Sequence, residues 1–245
     1  MKRWIWIAAG LLAGVFAFWP AASFESRVRT ALPPGSDVAL TGSVWSGAGR
    51  IHIGGAAWPV SWQFQPGRLL QARAAWRIEA RPAGAHGDVV ISIGWGGAAL
   101  DSPAFEGELR TLYAVLPGLK LMGVAGQVKL TGPDLRVTLD APWRAQGVAR
   151  LALRDVSVTT LGPAPLGQHE IELKGTGEEI AFEIARSDGL LKLDGKGTYN
   201  ARGEYGFQGS ALPLASFDAD ARARLARVAT AQSDGRFRFD VRGTW

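Results

Sequence analysis

Short runs in which apolar and polar residues alternate recur along almost all of this 245-residue chain, and they restrict what it can fold into. Val60, Trp62 and Phe64 alternate with Ser61, Gln63 and Gln65, and Trp76 and Ile78 alternate with Arg77 and Glu79. Val89, Ile91, Ile93 and Trp95 share one phase. So do Leu151 with Leu153, Ile171 with Leu173, Ile180 with Phe182 and Ile184, and Phe237 with Phe239 and Val241. A period of two places each apolar set on one side of a pleated strand. Strands with one apolar side belong to antiparallel sheets with one wet face. Gly or Pro separates most runs, so hairpins and meanders are expected. The fold class that follows is mainly β: curved antiparallel sheets with a few short helices, behind an N-terminal transmembrane helix.

That transmembrane helix is read from the first residues. Lys2-Arg3 precedes an uncharged run from Trp4 to Phe24, strongly apolar as far as Trp19. As a helix the apolar part would cover roughly 24 Å, enough for a thin bilayer. Trp4, Trp6 and Trp19 lie at its ends, where indoles favour the headgroup region, and Leu11, Leu12 and Phe16 lie within it. A cleaved leader shares the basic start and apolar run, but a clean Ala-x-Ala site is missing. The expectation is therefore an uncleaved anchor over residues 1–23, in the cell inner membrane as a single pass. Its N-terminus would be cytoplasmic and the bulk of the chain periplasmic.

Three short helices are expected. The first covers about Phe24 to Leu32, with Ser23 as N-cap and Pro33-Pro34 as the stop. The second starts at Pro103 and ends before Pro117. The third spans about Phe217 to Thr230 and is capped by Ser216, with Phe217, Ala221, Leu225 and Val228 on its apolar side. The later two each lead through a loop to a Gly-led strand, at Gly126 and at Gly235. Trp45 and Trp143 precede comparable strands. This organisation predicts two repeated β-rich halves, 24–130 and 131–245.

Most chemistry is excluded by composition. The chain has no cysteine, so there are no disulfides, thiol nucleophiles or cysteine metal sites. His52, His86 and His169 are far apart, and none has a second ligand at metal spacing. The formal net charge of +5 is spread among interspersed acids and bases, which reads as a solvated surface rather than a nucleic-acid face. Gly94-Trp95-Gly96-Gly97-Ala98-Ala99 has the spacing of a dinucleotide fingerprint, but Asp101-Ser102-Pro103 delays the helix that such a site needs. Glu178-Glu179 and Asp218 with Asp220 fit a turn and a helix N-terminus better than an acid/base pair. No enzyme activity, cofactor or metal is expected.

More specific is Thr41-Gly42-Ser43-Val44-Trp45-Ser46-Gly47, followed by Trp58 to Leu70 in the order WPVSWQFQPGRLL, with Trp58, Trp62, Pro66, Leu69 and Leu70 at its marked positions. Leu161-Gly162, Asp188-Gly189-Leu190-Leu191 and Ser233-Asp234-Gly235-Arg236 follow in order. The series resembles type II secretion system protein N across nearly the whole chain. The resemblance implies an inner-membrane component of a Gram-negative machine that moves folded proteins from the periplasm outward through a secretin. Its partners would be other type II secretion components: the secretin, pseudopilins or the inner-membrane platform. Within the motif, Gly42 and Gly47 suit close backbone approach, and Trp45 suits sealing one end of a sheet or contacting a partner.

The function expected is thus non-enzymatic: protein secretion through periplasmic protein–protein contacts, by strand addition at an exposed edge or docking on an apolar rim. The alternative is a periplasmic lipid or lipoprotein carrier, because one-sided strands also build an apolar groove. An outer-membrane barrel does not fit strands this short with helices between them.

Overall fold

The computed structural model describes residues 18–244. One 15-stranded antiparallel sheet forms the body. Its first part is β1 (Asp37–Gly42), β2 (Ser46–Ile53), β3 (Ala56–Phe64), β4 (Arg73–Ala80), β5 (Ala85–Gly94), β6 (Gly97–Glu108) and β7 (Val124–Thr131). After the short β8 (Arg136–Thr138) come β9 (Ala145–Val158), β10 (Gly162–Gly177), β11 (Glu179–Asp188), β12 (Leu191–Asn200) and β13 (Glu204–Pro213). β14 (Thr230–Ala231) and β15 (Phe237–Thr244) complete it. Neighbours in sequence are mostly neighbours in space, as in a meander. β7 pairs with β9, so the ladder is unbroken between the N- and C-terminal portions.

The alternation seen in the sequence becomes a single apolar face. Trp62 lies opposite Ile78, Ile78 opposite Val89, and Ile91 opposite Leu100. Phe105 lies opposite Leu130, Leu130 opposite Leu151, Leu151 opposite Ile171, and Ile171 opposite Ile184. The series ends with Gly197 opposite Phe207 and Phe207 opposite Val241. The other face carries the charges, including Arg77, Glu106, Lys129, Arg150, Glu172, Lys196 and Asp240. At about 4.8 Å per strand the apolar row is roughly 60 Å long measured along the sheet.

Among the described residues that face is not covered along its whole length as a globular core would be. A one-sided sheet ordinarily hides its apolar side under a second layer. Here no large side chain among the described residues is fully buried. Ile171, Leu173, Phe182, Ile184, Leu151 and Phe207 are all half-buried. The compact core sits at one end, where Leu166, Leu191, Ala211 and Phe237 pack against Phe217, Ala221 and Leu225.

The helices correct the sequence expectations in detail. α1 is Glu25–Ala31, and Ser23 does not cap it: its hydroxyl donates to the Pro20 carbonyl at 2.6 Å and accepts from Trp19 Nε1 at 2.7 Å. Glu25 Oε1 instead accepts from the Leu40 backbone N–H at 2.7 Å, tying α1 to the edge strand β1. The helix expected from Pro103 is strand β6. Ser102 has φ 51°, its N–H donates to Leu135, and the Pro103 carbonyl accepts from Gly132, so ladder pairing overrides the Ser-Pro start signal. Only a 3-10 turn, Leu109–Ala114, and α2, Pro117–Met122, remain helical there, and Pro117 begins α2 rather than following a helix. The third helix, α3, is Ala219–Leu225. It is capped by Asp218, whose Oδ1 accepts from the Ala221 N–H at 2.8 Å, and Val228 lies beyond its end, 72% exposed.

The expected transmembrane anchor, and with it the single-pass inner-membrane placement, is also corrected. Among the described residues no helix is long and apolar enough to cross a membrane. Where the anchor was expected to continue, Pro20 forms a β-bridge with Ser43 and Ala21–Phe24 is one 3-10 turn. Proline has no N–H to continue a helical ladder, and Trp19 uses its carbonyl to accept from the Val44 N–H at 2.9 Å. Trp4, Trp6, Leu11, Leu12 and Phe16 lie outside the described residues.

Two measurements check this account. Leu225→Ala, in the compact core, is expected to cost about 2–5 kcal/mol in urea unfolding of the full chain. Ile171→Ala, on the half-buried face, should cost clearly less, because its apolar area is already partly wet. The second concerns His169, which is buried on that same face with Nδ1 2.9 Å from Ser187 Oγ and no partner at Nε2. Burial lowers its pKa from the usual 6.5. Above that value both folded and unfolded chains are neutral there. Below it the unfolded chain gains a proton that folded His169 resists, so stability falls as pH falls, until His169 itself protonates. His169→Phe should remove that part of the pH dependence of the urea midpoint.

Candidate functional site

The most distinctive feature outside the compact core is an aromatic box at the end of the sheet where β3 leads into β4. It is built from the tight turn between β1 and β2. Gly42 has φ 94°, and a Cβ there would meet Ser46 O at 2.7 Å, so only glycine fits. Ser43 closes the turn: its N–H donates to Ser46 O at 2.9 Å, and its Oγ accepts from the N–H groups of Trp45 and Ser46 at 3.2 Å each. Gly47 leaves room for the Trp62 ring, which a Cβ would strike. Trp62 in turn donates its indole N–H to the Ser43 carbonyl at 2.9 Å.

This turn sends Val44 and Trp45 over the end of the apolar face. Trp45 meets Phe64 edge-on with centroids 4.8 Å apart, and Phe64 lies 5.4 Å from Trp76. Edge-on and tilted pairs of this kind contribute about 0.5–1.5 kcal/mol beyond their buried area. The Phe64 N–H donates to Trp45 O at 2.6 Å, and Trp76 Nε1 donates to Val44 O at 2.9 Å. On the open side Trp19 packs against Phe24 at 6.4 Å. With Leu69 and Ala74 these residues enclose a cavity of about 400 Å³. Pro66 opens the 3-10 helix Pro66–Gln71, which carries Leu69 to the wall.

The residues singled out in the sequence therefore divide. Val44, Trp45 and Leu69 line the box, Gly42 and Gly47 shape its turn, Trp62 braces it, and Pro66 starts the segment that delivers Leu69. Leu70 points to solvent, 94% exposed. Trp58 lies six residues along β3 from Phe64, about 20 Å away, opposite Ile51. Four lining residues were not singled out from the sequence: Phe24, Phe64, Ala74 and Trp76. Phe64 and Trp76 were visible in the alternation, but their convergence depends on the register that sets them opposite each other. Trp19 was read as an anchor residue and is instead a wall of the box.

Among the described residues no cluster of His, Asp and Glu could hold a metal. His52, His86 and His169 stand on β2, β5 and β10. Gly94 to Gly97 is a hairpin turn with Trp95 98% exposed at its tip, not a phosphate loop.

The indoles give a direct test of this wiring. Trp76→Phe strands the Val44 carbonyl and should cost about 1–3 kcal/mol in urea unfolding. Trp58→Phe should cost less, because the buried Trp58 N–H has no partner to lose.

A model of the family described as Type II secretion system (T2SS), protein N, matches residues 38–240. No curated protein and no solved structure is a match.

Proposed function

Because the chain belongs to the type II secretion system protein N family, we propose that it serves secretion as a docking body whose free sheet edge and aromatic end receive other components of the machine. Membership makes it a non-catalytic component of type II secretion that associates with other parts of that system. Which of the secretin, pseudopilins or inner-membrane platform it meets directly, and how far the halves 24–130 and 131–245 act as separate units, belong to the proposal.

One observation carries the choice of edge. The two ends of the sheet are unequal. At the β1 end, α1 lies alongside and Glu25 satisfies the Leu40 N–H. At the other end, β14 is two residues long and pairs only with Phe237 and Arg238. Among the described residues, 239–244 of β15 are paired on the β13 side alone. A sheet edge with unpaired backbone groups is a template for an added strand. The Arg242–Asp240 ion pair at 3.3 Å keeps this edge charged, as edges that avoid self-association commonly are.

Crosslinked pull-down of the full-length chain from its native envelope, read by mass spectrometry, should recover secretin, pseudopilin or platform proteins. Val241→Lys, at a site 45% exposed on this strand, should weaken that recovery while leaving the free energy of urea unfolding within about 0.5 kcal/mol of the parent. Full recovery with the variant would exclude the β15 edge as the contact.

A further inference from the structure

We propose that the end of the sheet around the aromatic box is a lipid-contacting rim, which rests on a bilayer surface through the side chains at its turn tips. This goes beyond the docking reading: a component received in the box would be met at the lipid surface.

The first argument is where the exposed apolar side chains stand. In an antiparallel meander alternate connections return to the same end. The register sets Gly42 opposite Gly47, Phe64 opposite Trp76, and Arg73 opposite Gly94. The turn between β1 and β2, the 3-10 helix Pro66–Gln71 and the turn between β5 and β6 therefore form one rim. Trp19 joins it, since its carbonyl accepts from the Val44 N–H. Phe18, Trp19, Leu69, Leu70, Ile93 and Trp95 are all exposed there, Phe18 by 83%, Leu70 by 94% and Trp95 by 98%. Large apolar side chains gathered in this way mark a contact surface.

The second argument is shape. Trp95 stands between Gly94 and Gly96, and a Cβ added at Gly96 would meet nothing within 4 Å. The same holds at Gly67, on the 3-10 helix that carries Leu70. The two connections are two strands apart, or about 10 Å. Separate apolar tips suit a fluid interface, which closes around each of them, whereas a protein partner would need a matched hollow for each. Indoles in particular favour the headgroup level of a bilayer.

The third argument is charge and the chain that leads here. Residues 18–20, 43–46, 65–73 and 94–97 contain no carboxylate, so no acid is pressed against headgroup phosphates. The sequence before Phe18 is uncharged from Trp4 to Ala17, and it joins the body at this rim rather than at the end that carries α2 and α3. The contact needs turn tips on a surface and no helix through it, and none of the described helices is long and apolar enough to cross.

The test uses the full-length chain, which has no cysteine of its own. Single cysteines replace Gly67, Gly96 or Leu121, the last exposed on α2 at the other end of the sheet. Each is labelled with nitrobenzoxadiazole and mixed with phosphatidylcholine vesicles that contain a phosphatidylcholine spin-labelled high on one acyl chain. Fluorescence should be quenched at Gly67→Cys and Gly96→Cys and unchanged at Leu121→Cys. Leu70→Ser with Trp95→Ser, both at exposed sites, should lower the quenched population at Gly67→Cys about tenfold or more, the effect of returning even one such side chain to water. Rim probes that stay unquenched, or quenching equal at all three sites, would overturn the proposal. So would unquenched rim probes together with loss of a secretion protein from the pull-down in the Leu70→Ser, Trp95→Ser variant, since the rim would then be a protein contact. Recovery with Val241→Lys tests the secretion reading separately, and either can be wrong without the other.

Discussion

The structure depends on one imbalance: a long sheet has a continuous apolar face and, among the described residues, no second layer over it. Backbone pairing from β1 to β15 holds the sheet together, and each cross-strand apolar pair adds a little to that. Large side chains cluster in a buried core at one end, where Phe217, Ala221 and Leu225 press on Leu191, Ala211 and Phe237. In the middle of the face Val128, Ala149 and His169 are buried, but Leu151, Ile171 and Ile184 remain half-buried. That leaves apolar surface available for binding, which a fully packed sandwich would have used internally.

The aromatic box is the local consequence of the same imbalance at the opposite end. A sheet end without a covering helix has to be sealed by side chains, and tryptophans do this with few rotatable bonds. Their N–H groups must find partners, and the Ser43 and Val44 carbonyls supply them. The motif glycines matter because they let that turn bend and let Trp62 lie across Gly47. The segment from Gly42 to Gly47 thus encodes the geometry of one end of the sheet, and the same geometry creates a cavity lined by apolar side chains.

The strands were legible because period two survives in almost every one of them, and the one-sided pattern foretold a face shared across the sheet. The helices were less legible because their signals are local and the ladder outweighs them. Ser102-Pro103 has the form of a helix start, yet Gly132 and Leu135 draw that backbone into β6. Ser216 was a reasonable cap, but Asp218 is nearer the first helical N–H groups and reaches one. The box was half legible. Val44, Trp45 and Leu69 came from the motif, whereas Trp19, Phe24, Ala74 and Trp76 depend on pairings that no single segment reveals. Trp19 illustrates the general difficulty: an apolar aromatic beside a proline has the same sequence signature at a bilayer interface as in the wall of a pocket.

The most direct measurement of the central claim uses the absence of cysteine from the chain. Single cysteines at Leu151, Ile171 and Ile184 on the open face, and at Ala221 and Leu225 in the compact core, would be treated with a small maleimide in the folded, delipidated full-length protein. The account predicts ready labelling at the three face positions and protection at the two core positions. Equal protection at all five would mean that the apolar face is closed by a layer of its own, and would contradict the account.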